Sequence, residues 1–188
     1  MNLCLDESFK AVDFSTEKLP AREFENCNFI NCNFAGTNLQ GFNFAECSFE
    51  GCDLSNALTS GTIFREAEFT DCKMLGLRLD LCDPFLLSFR FSKCQLNFSS
   101  FYRLKLKGTR FSGCNLQQLD LSEADLKNAI FDTCDLSGAI FSNTNLEAAD
   151  LSTSHGFSID PEKNRIQKAV FSSTNVSGLL DKYHIDIK

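Results

Sequence analysis

The chain has 188 residues, a net charge of −7, 20 phenylalanines, 10 cysteines, 2 histidines and no tryptophan. This length suits one domain or one elongated repeat array, and two histidines leave few candidates for a general base near neutral pH, which weighs against an enzyme. The N-terminus lacks a basic region before an apolar run, and no apolar stretch approaches the ~18 residues that cross a bilayer, so we expect a soluble cytoplasmic protein without membrane contact.

A large apolar residue recurs at every fifth position, a period that fits neither a helix nor a straight strand. The first repeat block covers residues 9–89 and the second covers residues 91–151, two residues out of phase with the first. Fourteen of the first fifteen positions are Phe, Leu or Met. The first series is Phe9, Phe14, Leu19, Phe24, Phe29, Phe34, Leu39, Phe44, Phe49, Leu54, Thr59, Phe64, Phe69, Met74 and Leu79.

The residue two positions before each large residue is usually small, as at Cys27, Thr62 and Ala129. A large and a small residue facing inward, with three polar residues facing outward, fit a strand that turns a corner every five residues. Four corners close a square coil, and the next coil stacks on it at the inter-strand spacing of ~4.8 Å. Every twentieth residue then has a like neighbour, as a 20-residue coil requires.

Nine of the ten cysteines occupy the small inward position, and six form one column: Cys32, Cys52, Cys72, Cys94, Cys114 and Cys134. The steps are 20, 20, 22, 20 and 20, which predicts a two-residue insertion within residues 79–91, near Pro84. We interpret the thiols as small buried hydrophobic groups rather than as disulfides, redox centres or metal ligands, because no CxxC occurs. No cofactor is expected.

Both ends of the array depart from the repeat. Glu7, Glu17 and Arg22 fall at inward positions that a core would reject, so the first coil is expected to be frayed or atypical. The pattern fails again over residues 152–165 and returns at Ile166, which predicts an irregular loop on a retained coil. A single domain, residues 1–188, thus ends with this loop, the last coil and a terminal helix in residues 152–188.

The terminal helix is predicted from a change of period. The apolar residues Val176, Leu179, Leu180 and Tyr183 follow the spacing i, i+3, i+4, i+7, and Ser177 is a suitable N-cap, so a short amphipathic helix is expected. The helix either folds back to cap the last coil or pairs with its copy in a two-fold homodimer.

The negative charge lies in the N-terminal half: residues 1–89 carry 14 acidic and 6 basic side chains, whereas residues 90–151 carry 7 of each. On the square coil, eight acidic residues flank two adjacent corners and face outward, against Arg65 and Arg90 alone. We call these eight the acidic stripe: Glu23, Glu25, Glu46, Glu50, Glu66, Glu68, Asp71 and Asp83. Such a field attracts basic surfaces and can fill a groove built for nucleic acid; the alternative is the ordinary acidic side of an intracellular protein.

One later coil has the opposite charge, with Tyr102, Arg103, Lys105, Lys107 and Arg110 projecting from consecutive strands. Such a cluster can contact phosphate or an acidic partner. The overall acidity of the chain nevertheless weighs against direct binding of nucleic acid.

The pentapeptides ENCNF, INCNF, AGTNL, AECSF, EGCDL, SEADL and SGAIF resemble those of the pentapeptide repeat family. The resemblance covers roughly residues 9–151 and implies an all-β solenoid, a right-handed quadrilateral β-helix of about 8 coils with a short C-terminal capping helix. Residues 14–49 look like the opening coils of Qnr-type quinolone-resistance members, and SIDPEKNRI before a terminal helix looks like a microcin-immunity member.

Those relatives act on DNA gyrase and topoisomerase IV as dimers whose acidic rods resemble duplex DNA. The resemblance therefore implies a non-catalytic DNA mimic that binds a type II topoisomerase and confers antibiotic resistance. The long projecting loops of several Qnr proteins are missing here, and the acidity is confined to one half of the chain. A general protein-interaction scaffold with another partner and no topoisomerase activity is the alternative.

Overall fold

Short parallel strands stack coil on coil in the computed structural model, which describes residues 3–186. The first face of the rod is a four-stranded sheet of β1 (Leu3–Leu5), β3 (Glu23–Glu25), β5 (Asn43–Ala45) and β7 (Ile63–Arg65). The second face is a seven-stranded sheet of β2 (Ser8–Lys10), β4 (Asn28–Ile30), β6 (Ser48–Glu50), β8 (Ala67–Thr70), β9 (Phe89–Ser92), β10 (Arg110–Ser112) and β11 (Ile130–Asp132). Isolated parallel bridges build the third face, from Asp13 to His155, and the fourth face in two runs, Asn38 with Leu58 and then Arg78 through Ser100 and Asp120 to Ile140.

The strand register confirms the predicted all-β solenoid. Phe24 pairs with Phe44, and Phe29 with Phe49, so each coil takes 20 residues. Six turns separate the seven strands of the second face, and the bridges Ile130↔Asp150 and Asp150↔Val170 continue it by two more. We number the coils from the N-terminus: residues 3–22, 23–42, 43–62 and 63–82 are the first four.

The two-residue insertion lies between Leu81 and Phe89. The Asp83 N–H donates to the Thr62 carbonyl with the regular offset of 21 residues, as the Ile63 N–H does to the Phe42 carbonyl, whereas Ala67 pairs with Phe89, a step of 22 instead of 20. A 3₁₀ helix, Leu79–Leu81, and the loop at residues 82–88 absorb the extra length. The loop exposes the Phe85 side chain, which is 71% accessible.

Each regular corner has a left-handed residue two positions after the large inward residue. This residue is Gly51 at one corner, but it is also Asn31, Glu46 or Asp71, with φ between 52° and 54°. The residue before the large one often locks the same corner through its side chain. The Asp53 carboxylate, for example, accepts the Ser55 N–H at 2.9 Å.

Phenylalanine rings fill the centre of the first half of the rod. On the second face the Phe49 ring stacks on Phe29 at 4.9 Å and on Phe69 at 4.8 Å, with interplanar angles of 12° and 13°. Phe44 from the first face meets the Phe49 ring edge-on at 5.5 Å. Stacked and edge-on contacts are the favourable geometries for aromatic pairs. Packed in this way, the three rings are almost completely buried from solvent.

The ten cysteines are free thiols, nine of them buried, as the packing interpretation requires. The Cys52 thiol donates to the Phe29 carbonyl at 3.2 Å, and the Cys72 thiol to the Phe49 carbonyl at 3.3 Å, each one coil below. Burial raises the pKa of the Cys47 and Cys82 thiols to about 12. These thiols therefore stay protonated and unreactive near neutral pH.

The first coil is atypical, as predicted. Glu17 and Arg22 are exposed, whereas Ala21 beside Arg22 is buried. At the other end the bridges Asp135↔His155 and Asn145↔Arg165 keep the 20-residue step across the irregular loop. The loop turns Phe157 and Ile159 into the core.

The C-terminal segment is helical but forms two 3₁₀ helices, Val176–Leu179 and Asp181–Tyr183, so the prediction of one amphipathic helix was wrong in type. The residue before the first helix is Asn175, not Ser177. The Gly178 carbonyl accepts the Ile159 N–H at 2.9 Å and is thereby diverted from an α-helical bond. A single side chain of the predicted apolar set, Leu179, packs against the core.

Lys182 fastens this segment to the irregular loop. Its ammonium group lies 2.7 Å from the Asp160 carboxylate and 2.8 Å from that of Glu162. Both contacts raise the pKa of Lys182, with the larger effect from Asp160. Among residues 3–186, the helices are all too short and too polar to span a membrane.

The aromatic column predicts a large cost for truncation at its centre. Phe49→Ala is expected to lower the free energy of unfolding by about 3 to 5 kcal/mol, because it removes a ring and leaves a cavity between stacked neighbours. Urea unfolding followed by circular dichroism measures this. Phe98→Ala, at an exposed corner, is the matched control and should change it by less than about 0.5 kcal/mol. A loss below about 1 kcal/mol for Phe49→Ala would contradict the coil register.

The burial of the thiols predicts their reactivity. With the reagent DTNB at pH 8, we expect the native protein to react rapidly at Cys4, the half-buried thiol, and at all ten positions after denaturation. Rapid modification of several thiols in the native protein would show that the inward column is accessible.

Candidate functional site

Three glutamates of the acidic stripe meet at the edge between the first and second faces. Glu46 and Glu66 occupy the same corner in the third and fourth coils, both left-handed, and Glu68 follows two residues later on β8. All three side chains are exposed. The corner geometry points successive carboxylates outward from one edge of the rod, ~4.8 Å apart along its axis.

Two more stripe residues lie on the other side of the second face. Glu50 ends β6, and Asp71 occupies the next corner of the fourth coil. Both are exposed. The structure therefore brings five acidic residues together on two successive coils.

The remaining three stripe residues lie apart from these five. Glu23 and Glu25 flank Phe24 on β3, one coil earlier, and both are half-buried. Asp83 begins the insertion loop, and its carboxylate accepts the Phe85 N–H at 2.8 Å. Asp83 thus stabilises a turn.

Two of the stripe carboxylates have a basic partner. Arg65 approaches Glu46 at 3.4 Å, and Arg90 approaches Glu68 at 2.7 Å. The ion pairs found among residues 3–186 include none of Glu23, Glu25, Glu50, Glu66 and Asp71. The stripe is therefore a surface of largely uncompensated negative charge.

The basic coil is different, because acidic residues one coil further on compensate it. Arg103 lies 2.7 Å from Glu123, Lys107 lies 3.2 Å from Asp125, and Arg110 lies 3.8 Å from Asp132. The hydrogen bond from Arg103 lowers the pKa of Glu123, and the Tyr102 hydroxyl donates to the same carboxylate at 2.9 Å. This coil presents a mixed, paired surface and offers little free charge for phosphate.

The stripe edge is a shallow groove that includes Asn26, Ser48, Glu66 and Arg90. Within the described part of the chain, no three His, Cys, Asp or Glu side chains are placed to hold a metal ion. The exposed His155 ring lies 3.9 Å from the Asp135 carboxylate. The carboxylates of the stripe can therefore bind cations and basic side chains.

A second class of acidic residue has a structural function that the sequence reading missed. Asp120, Asp135 and Asp150 precede large inward residues, and each accepts the backbone N–H two positions later. The hydrogen bonds from Ser152 lower the pKa of Asp150. The sequence signal for this turn-stabilising function is an Asp or Asn directly before the large Phe or Leu. The signal distinguishes aspartates that bond a turn from the exposed glutamates of the stripe.

Comparison with solved structures places the chain among β-helical rods. It matches HetL, a pentapeptide repeat protein involved in heterocyst differentiation regulation in the cyanobacterium Nostoc, at 19% identity over 90% of this chain and 83% of that one, with a TM-score of 0.51. It also matches trypsin-treated QnrB1, a plasmid-mediated fluoroquinolone resistance protein, at 20% identity over all of both chains, with a TM-score of 0.47. A sequence comparison with curated proteins finds no significant match.

Two family models match the sequence. The model described as a pentapeptide repeat region matches residues 85–155, and the model of eight pentapeptide repeats matches residues 27–57 and 47–83. Together they span more than half of the chain. The chain belongs to the pentapeptide repeat family.

Proposed function

We propose that this protein is a non-catalytic acidic rod that binds a basic surface of another protein through the acidic stripe. The observation that supports this most directly is the set of unpaired carboxylates on adjacent faces of coils two to four. Elsewhere in the rod, the stacking of coils sets opposite charges against each other, as with Lys127 and Glu147 at 2.8 Å. An excess of like charge in successive coils favours a partner of the opposite sign.

The charge density of the stripe is of the order found on duplex DNA. Eight carboxylates against two arginines leave a formal charge of −6 between Glu23 and Arg90. These residues span about three coil steps, or ~15 Å, over which duplex DNA carries roughly nine phosphates. A protein groove that binds a DNA backbone would therefore attract this edge of the rod.

The candidate partner is a type II topoisomerase, DNA gyrase or topoisomerase IV, which the rod would occupy as a DNA mimic and protect against inhibitors. The likeness of residues 14–49 to the opening coils of Qnr-type proteins supports this choice, together with the position of the stripe in those coils and the one just after them. Such a partner implies that the protein acts in the cytoplasm.

A general interaction scaffold is the second candidate. The paired charges of the C-terminal half favour it, because Glu123, Asp125 and Glu147 leave that surface without a strong field. On this alternative, the rod binds a partner other than a topoisomerase through its ladders of exposed side chains.

We also propose that the terminal 3₁₀ segment carries a homodimer contact. Val176, Leu180 and Tyr183 are 42%, 37% and 55% exposed although they are apolar or aromatic. A two-fold axis beside them would bury three such side chains from each copy.

The stripe proposal predicts protection of gyrase. In a supercoiling and cleavage assay with a fluoroquinolone, the purified protein is expected to restore supercoiling. The variant with Glu46, Glu50, Glu66 and Glu68 all changed to Gln is expected to lose this effect, because four of the charges that attract the partner are removed.

The matched control changes four exposed acids elsewhere: Glu7→Gln, Glu17→Gln, Asp181→Asn and Asp186→Asn. It alters the net charge equally and should retain protection. Absence of any effect of the native protein, up to large molar excess over gyrase, would reject the topoisomerase and favour the scaffold. Equal loss in both variants would show that net charge, not the stripe, is responsible.

The dimer proposal predicts a change of mass. Leu180→Asp is expected to give a monomer by light scattering with an unchanged β signal in circular dichroism, since it places a charge in an apolar contact. Ser177→Asp adds the same charge at an exposed polar position and should leave the mass as it is. A wild-type mass for Leu180→Asp would remove this segment from the dimer.

A further inference from the structure

Along the fourth face the first and second coils are joined by side-chain bonds, from the Thr37 hydroxyl to the Phe14 carbonyl at 3.2 Å and from Arg22 to the Gln40 carbonyl at 3.4 Å, while backbone groups of the second coil between them stay unpaired. Asn38 forms a parallel bridge with Leu58 of the third coil, but within residues 3–186 no bridge joins it to the first coil. Neither its N–H nor its carbonyl makes a backbone hydrogen bond there. In a parallel ladder both groups of such a residue point to the same neighbouring strand, so Asn38 presents one donor and one acceptor to an empty strand position.

The break in backbone pairing follows from the sequence of the first coil. The Glu17 N–H donates to the Asp13 carbonyl at 2.8 Å, which closes a turn and lifts residues 15–18 away from the rod. Glu17 and Arg22 cannot enter the core at the positions that the repeat assigns to them. The chain rejoins the ladder at Arg22, whose carbonyl accepts the Asn43 N–H at 2.8 Å.

The resulting groove runs between residues 17–23 and residues 37–43, with a volume of about 920 Å³. Leu19 and Phe42 contribute apolar wall, and the Arg22 guanidinium lies over the Phe42 ring at 5.2 Å. Thr37 is half-exposed, whereas Ala57, its equivalent in the next coil, is buried. The groove therefore combines an unpaired strand edge with apolar surface, the two elements of a site that binds peptides by strand addition.

We propose that this groove binds an extended peptide segment of a partner protein, which adds to the second coil as a parallel strand along Thr37–Gln40. The proposal is independent of the acidic stripe. It uses main-chain recognition on the fourth face instead of charge, and of the stripe residues Glu23 alone borders the groove.

The pairing between the second and third coils shows how such a strand would bind. There the Leu58 N–H donates to the Thr37 carbonyl at 2.9 Å, and the Leu39 N–H donates to the Leu58 carbonyl at 2.9 Å. An added strand would repeat this pattern one coil lower. One of its carbonyls would accept the Asn38 N–H, and the N–H two residues later would donate to the Asn38 carbonyl, as Thr37 and Leu39 do towards Leu58.

A peptide of residues 35–42, acetyl-AGTNLQGF-amide, is a suitable probe because this sequence pairs with the equivalent edge of the third coil. Amide exchange measured by NMR is expected to be fast at Asn38 and slow at Leu58 in the free protein. Saturating peptide should slow exchange at Asn38 by at least about tenfold. The variant with four stripe glutamates changed to Gln should bind equally well, which distinguishes this site from the stripe.

Two changes test the main-chain bonds. Asn38→Pro removes the N–H without removing a backbone bond of the free protein, and is expected to weaken peptide binding at least about fivefold relative to Asn38→Ala, which keeps the N–H. A peptide N-methylated at its leucine lacks the N–H for the Asn38 carbonyl and should bind the unaltered protein at least about fivefold more weakly. The second test holds even if the proline variant fails to fold.

Three results would overturn the proposal. Slow exchange at Asn38 in the free protein would show that the coils close in solution. No binding of the peptide at millimolar concentration, or equal binding of the N-methylated peptide, would show that the edge is not a strand template. Protection of Asn38 by self-association without peptide would assign the groove to a second copy of the chain.

Discussion

The backbone ladder between coils is the constraint on which the rest of this structure depends. Because each strand pairs in register with the strand 20 residues later, side chains of one column must stack at ~4.8 Å. Each column therefore needs side chains that pack well against others of the same kind. In the interior, flat phenylalanine rings and small thiols can stack in this way. Where the residues do not meet this need, as at Glu17, the ladder opens between the first and second coils on the fourth face, while the other three faces stay paired.

The same stacking decides the electrostatics of the surface. Residues about one coil apart are neighbours, so opposite charges in neighbouring columns pair, as in Arg103 with Glu123, and like charges in one column repel. Glu46 and Glu66 share a column at left-handed corners. Their like charges repel, and Arg65 offsets part of this repulsion at Glu46. A basic partner would neutralise such a column of carboxylates and remove the repulsion between them.

Corner chemistry links the local conformation to these surfaces. A left-handed residue at each regular corner brings strain that glycine avoids and that asparagine or aspartate tolerates. Asp or Asn before the large residue offsets part of that strain by bonding the turn. Many acidic side chains of this chain are thus committed to the fold, and the unpaired glutamates of the second to fourth coils are distinguished by having no such task.

The sequence by itself determined the coil, its register, the inward columns and the place of the insertion. A strict five-residue period allows only one register in which large residues stack on large residues and small residues on small ones. It also predicted outward positions for acidic side chains, and those of Glu46, Glu66 and Glu68 are exposed. Only the tertiary structure decided that Asp83 locks a turn, that Arg90 reaches Glu68, and that the tail forms 3₁₀ helices. These features depend on contacts between segments outside the repeat, such as Ile159 with Gly178, and on the path of the chain after Asp13, neither of which a period encodes.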